Sequence, residues 1–286
     1  MSILAGLFGP NVESLKKKKD HEGLWELRHH KVWETRRDAL IALAHLGDER
    51  GVIYLLAATQ PGDDELGMAL LQAVARDPKL ATATVRLAQA GGYSYASDRV
   101  FLVLETYRAK ISPETLVDDL MESREGPFWW SRADLRRMLL PFGHRVVKHL
   151  IDHLEEPQKA RKAAPLVGAL GRAAGSTARA LIEAYRENPA LKTEVQAALL
   201  ELYDTGMDAL LAAQGDVSDD VRALATKVLA MLPQYARQRQ GEAAIDVNEE
   251  KAIRERVRLA SLHGMEKARR DSSELVRSIA LQGGPR

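Results

Sequence analysis

Cysteine is absent from all 286 residues, which removes disulfides, thiolate metal sites and thiol nucleophiles together. A reducing compartment fits that absence, and the cytoplasm is the expected location. Aromatic residues are scarce at 5%, and Val, Ile and Thr do not collect into alternating runs, so the strand signal is weak. Net charge is nearly absent too. The 41 basic residues face 40 acidic ones for a formal +1, leaving no global attraction toward nucleic acid or an anionic membrane. No stretch approaches the roughly 18 uninterrupted apolar residues that span a bilayer. The short apolar start from Met1 to Pro10 lacks the leading basic region of a signal peptide. It is expected to pack as a cap.

What is present is globular: 45% hydrophobic and 28% charged residues, rich in Ala and Leu. The length exceeds a typical single core, which points to two domains or one elongated array. Gly and Pro recur at Gly47, Pro61, Pro78, Gly91, Pro113, Gly126, Gly143, Pro157, Gly171, Pro189, Gly206, Gly215 and Pro233. The intervals hold about three or four helical turns each. They carry apolar stripes at helical spacing: Leu40, Leu43 and Leu46; Val147, Leu150, Ile151 and Leu154; Val217, Val221, Leu224, Val228 and Leu232. Short connections force neighbouring helices antiparallel, and similar pairs recur about every 30 to 35 residues, the mark of an α-solenoid. No single pair buries its own stripe, so stacking is obligatory.

The expected architecture is therefore all-α: an α-solenoid, or alpha-alpha superhelix, of about seven antiparallel helix pairs, with first helices near residues 20, 49, 78, 112, 143, 175 and 205. Residues 1–19 form an N-terminal cap or linker and 20–235 the repeat array. Residues 236–286 form a charged C-terminal helical cap whose last residues, from Gln282, are expected to be disordered. Pro165 should kink its helix, and Ser176 should cap the next one.

The second helices carry the clearest repetition. Trp33-Glu-Thr-Arg36-Arg37-Asp38-Ala39-Leu40 through Leu46-Gly47-Asp48 lies over Ser218-Asp-Asp-Val221-Arg222-Ala-Leu224 through Leu232, with a weaker copy from Gln158 to Gly171. This pattern resembles the short prokaryotic form of the HEAT-repeat family. The resemblance covers roughly residues 12 to 235 and is weakest over 91 to 143. It implies a right-handed superhelix, small Ala positions where helices approach, and an Arg that ties neighbouring loops together, here Arg36 and Arg222. It also implies a noncatalytic scaffold or adaptor that binds another protein along the solenoid surface.

The most unusual segment is Gly126-Pro-Phe-Trp129-Trp130-Ser131-Arg132-Ala-Asp134-Leu-Arg136-Arg137. Adjacent residues on a helix differ by about 100 degrees, so one Trp should be core and the other partly exposed. Trp beside Arg is hot-spot composition, which makes Trp129, Trp130, Arg132, Arg136 and Arg137 the expected docking residues, joined by Trp33 and Arg37 near the N-terminal end. The competing reading is that both Trp fill a gap between irregular repeats. Trp130 and Asp134, at i and i+4, raise a second alternative. A HEAT-like class of alkylpurine DNA glycosylases uses an aromatic and a carboxylate on one surface, and the similarity implies base holding by Trp130 and charge stabilisation by Asp134. Some phycobilin lyases carry similar repeats, a third alternative.

The remaining patterns read as ordinary surface. Lys16 to Lys19 is followed by Asp20 and Glu22, and Lys159, Arg161 and Lys162 follow Glu155 and Glu156, so local acids blunt both basic runs. His149 and His153 have metal-ligand spacing with no identifiable third ligand, and are expected as surface histidines. No cofactor, metal or nucleophile–base constellation is expected.

Overall fold

The computed structural model describes residues 11–57, 64–90, 97–122, 130–238 and 247–283. All regular structure among them is helical, with no strand. The chain divides into two compact units, 1–129 and 130–286, a boundary that falls inside the Trp129–Trp130 pair.

The first unit contains α1 (Val12–Lys18), α2 (His21–Glu26), α3 (Trp33–His45), α4 (Glu49–Ala57), α5 (Asp64–Arg76), α6 (Leu80–Ala90), α7 (Ser97–Thr106) and α8 (Pro113–Met121). Local chemistry sets several of these starts. Asp20 accepts from the Gly23 amide at 2.8 Å at the head of α2, and Ser112 accepts from Thr115 N at 3.1 Å with Pro113 opening α8. Packing follows two layers: α3, α5 and α7 follow one another in one, while α4, α6 and α8 do so in the other. Fully buried Leu24, Leu43, Leu55, Leu56, Leu66, Leu70, Leu116 and Leu120 fill the space between. Each contributes about 1.5–3 kcal/mol of transfer free energy. The α3–α4 corner is so tight that a Cβ on Gly51 would lie 2.2 Å from Ala44 N.

The second unit contains α9 (Arg132–Leu139), α10 (His144–Leu154), α11 (Pro157–Leu170), α12 (Ala178–Glu187), α13 (Lys192–Leu202), α14 (Met207–Ala213), α15 (Asp219–Gln238), α16 (Val247–Arg269) and α17 (Glu274–Gln282). Here α9, α11, α13, α15 and α17 pack in sequence as one layer, and α10, α12, α14 and α16 as the other. Residues 247–283 thus continue the alternation, with α16 against α14 and α15, and α17 against α15.

Helices begin at His21, Glu49, Leu80, Pro113, His144, Ala178 and Met207, within three residues of the expected starts. Four local expectations need correction. Pro233, taken as a break, lies inside α15, which runs on to Gln238. Burial of Leu232 and Ala236 on either side offsets the single lost backbone hydrogen bond. Ser176 does not cap α12; it sits in a 3-10 stretch over Gly171–Thr177, and the cap position, Thr177, makes no side-chain cap bond. Lys16, Lys17 and Lys18 are not linker but the last turn of α1, where positive charge suits the carbonyl end of the helix dipole. Gln282 is the last residue of α17. The apolar start at residues 1–10 and the tail at 284–286 lie outside the described residues.

Candidate interaction surface

Trp33 opens α3 and keeps 48% of its surface exposed, next to Val32 at 42%. The Arg36 guanidinium stands 5.5 Å from the centre of the Trp33 ring. The same guanidinium donates to the carbonyls of His30 at 2.7 Å and Lys31 at 3.4 Å, so the loop before α3 and the indole are held by one side chain. Arg37 is engaged as well, with Asp38 and with Glu65 of α5, both at 3.1 Å. Hydrogen bonding to Asp38 raises its pKa, so its charge is permanent but largely answered. A second aromatic, Trp25, was not singled out from sequence. It lies under two guanidiniums, Arg28 at 4.2 Å and Arg50 at 5.1 Å. The Arg28 contact has helical i+3 spacing and was legible; the Arg50 contact depends on tertiary packing.

In the second unit the expectations divide. Trp130 is only 3% exposed, so it belongs to the core and its role as a docking residue is withdrawn: a buried indole presents no face to a partner. Trp129 lies outside the described residues. Asp134 accepts from Ser131 N at 3.1 Å and Ser131 Oγ at 2.6 Å, completing a capping box at the head of α9. Trp130 and Asp134 therefore do not face one ligand, and the glycosylase reading loses both residues assigned to it. Arg132 is 57% exposed along its side chain but donates to Glu201 of α13, a carboxylate only 4% exposed that also accepts from Tyr235. Arg136 and Arg137 remain exposed on α9.

The bracket formed by Arg36 recurs. Arg222 donates to the carbonyls of Asp216 at 2.8 Å and Val217 at 3.3 Å. Arg277 does the same to Asp271 at 2.7 Å and Ser272 at 2.8 Å. Arg222 additionally grips the Asp271 carboxylate with two nitrogens at 2.9 and 3.0 Å, which ties the loop before α15 to the loop before α17. That hydrogen bonding holds the Asp271 carboxyl below its ordinary pKa and lifts that of Arg222. The Arg277 copy was missed, although Asp271-Ser-Ser273-Glu-Leu-Val276-Arg277 repeats the Asp, Ser, acidic, Val and Arg positions of Asp216-Val-Ser218-Asp-Asp-Val221-Arg222. The high charge of residues 248 to 280 masked it.

Among the described residues the protein is all-helical, several of its Arg and Asp side chains serve helix caps and loop brackets, and an aromatic and cationic group is displayed at the start of α3. The chain matches no known family model and no characterised protein. No helix among the described residues is long and apolar enough to cross a membrane.

Proposed function

We propose that the protein is a noncatalytic protein-interaction scaffold, a cytoplasmic right-handed α-solenoid of about seven antiparallel pairs of the HEAT type, that docks another protein on its exposed helix starts. The observation that carries this reading is the half-exposed Trp33 held in place by Arg36. An indole already fixed by its own helix and an adjacent guanidinium loses little entropy on binding and offers a large apolar area, the combination found at interface hot spots. The bracketing Arg residues favour the HEAT assignment, because Arg222 joins successive loops in the way the resemblance implies. Arg136 and Arg137 are the cationic contacts assigned to the second unit.

The test is affinity purification of the tagged full chain from its native cells, with quantitative mass spectrometry of the recovered proteins. Trp33→Ala should retain the fold by circular dichroism and lose a protein recovered with the wild type by at least about tenfold, the scale of a hot-spot truncation. Identical recovery with Trp33→Ala and with the Arg136→Glu, Arg137→Glu double variant would refute the assignment. Recovery of nucleic acid or a tetrapyrrole in place of a protein would replace it.

A further inference from the structure

We infer that His149 and His153 on α10 form a binding site for a borderline divalent transition-metal ion such as Zn²⁺. The expectation for this pair was two surface imidazoles. The structure places His153 at 5% exposure, and His149 is half-buried. Their ring centres are 4.3 Å apart with the planes inclined at 65°, and a nitrogen of one lies within 4.8 Å of a nitrogen of the other. An ion at about 2.0–2.1 Å from each of two imidazole nitrogens in tetrahedral geometry needs them about 3.4 Å apart. A small rotation about the side-chain bonds of the more exposed ring, His149, closes that gap. The site is thus close to formed before any ion arrives.

The surroundings say which ions suit it. Val146, Val147, Leu150 and Leu154 of the same helix are buried, so the pair stands at the edge of an apolar stripe where a dehydrated, nitrogen-bound ion is tolerated better than a hydrated one. Glu156 Oε1 lies 3.7 Å from His153 Nδ1 and is held by Lys159 at 2.9 Å, so a carboxylate stands beside one of the two rings. Two imidazoles as protein donors suit Zn²⁺, Co²⁺, Ni²⁺ or Cu²⁺, and discriminate against Ca²⁺ and Mg²⁺, which take oxygen ligands in greater number. Because both imidazoles come from the second half of one helix, an ion there would staple the C-terminal end of α10. The inference is independent of the scaffold reading, since none of these residues belongs to the proposed docking surface.

The experiment uses the tag-free full chain, stripped with chelator and titrated with Zn²⁺ against a chromogenic competitor. It is repeated with Co²⁺ and followed by visible absorption. One ion should bind per wild-type chain, with a rise in thermal midpoint. His149→Ala, at the more exposed ligand, should weaken binding by at least about tenfold and abolish the thermal shift. A His29→Ala, His30→Ala double variant should bind as wild type. If His149→Ala fails to fold, electron paramagnetic resonance of Cu²⁺ bound to the wild-type chain decides: hyperfine structure from two nitrogens supports the site, and its absence overturns it. Equal Zn²⁺ uptake by wild type and a folded His149→Ala variant overturns it as well.

Discussion

Tyr203 allows a test of backbone strain with an unusual sign. Gly143, Gly171 and Tyr203 end successive members of one helical layer, after α9, α11 and α13. They share one backbone conformation: φ 55 and ψ −131, φ 56 and ψ −134, and φ 56 and ψ −125. That region suits glycine and costs a residue with a Cβ about 1–3 kcal/mol. Two of the three positions are glycine; the third holds a half-buried Tyr whose ring packing must offset the strain, and whose phenol is pushed to higher pKa by burial and by Asp204. Replacing Tyr203 by Ala or by Gly removes the ring in both cases, so their difference reports the backbone alone. Elsewhere Ala exceeds Gly by about 0.5–1 kcal/mol through chain entropy. Subtracting that from a strain of about 2 kcal/mol leaves Tyr203→Gly more stable than Tyr203→Ala by about 1–1.5 kcal/mol.

The converse substitutions set the scale. Gly143→Ala meets no atom within 4 Å and should lose about 1–2 kcal/mol through strain alone. Gly171→Ala should lose more, because its Cβ would lie 3.2 Å from the Glu201 carbonyl. Guanidinium denaturation followed by far-ultraviolet circular dichroism measures all four, comparing midpoints at constant slope. A Tyr203→Ala protein at least as stable as Tyr203→Gly would refute the reasoning.

Three further outcomes follow from the packing and the charges. Arg222→Ala, which empties a loop bracket and leaves Asp271 with only the Ser273 amide and the nearby Arg277 charge, should destabilise by about 2–3 kcal/mol, and hydrogen exchange should show the loop before α17 opening first. Gly51→Ala should cost about 3 kcal/mol, since the Cβ would collide with the backbone of α3 rather than with a movable side chain; a midpoint unchanged from wild type would show that the α3–α4 corner yields. Acid should act in two steps. Burial, then Arg76 and Lys16, lower the pKa of His45, so the stability it contributes is complete above about pH 6.5 and is lost as pH falls through its folded value. Hydrogen bonds from Arg50, then His21, hold Asp48 at about 2, so on the order of 2 kcal/mol is lost as pH falls from about 4 to about 2. Denaturation midpoints of His45→Gln and Asp48→Asn across pH should be flatter in the upper and lower windows respectively.

The helix starts were legible because they depend on neighbours in the chain: Pro113 after Ser112, and the apolar stripe of α10, act within a turn or two. The resemblance implied that Arg36 and Arg222 tie neighbouring loops together; Arg222 does so through Asp271, whereas the bonds of Arg36 stay within the loop before its own helix. The site was read less well. Trp130 beside Arg132 had interface composition, yet exposure is decided by what packs against a side chain, and composition carries no information on that. Asp134 went to its own helix cap because Ser131, three residues away, competes for it at no cost in chain closure.

From the sequence alone came an all-helical chain, the helix starts, the neutral and cysteine-free surface, and the repeated Arg, because each rests on interactions a few residues long. Tertiary structure alone decided the core position of Trp130, the exposure of Trp33, the meeting of Arg222 with Asp271 and the burial of His153. Those outcomes belong to the stacking of one helical pair on the next. Stacking removes a face from water according to its neighbour's shape, which no local pattern of residues encodes.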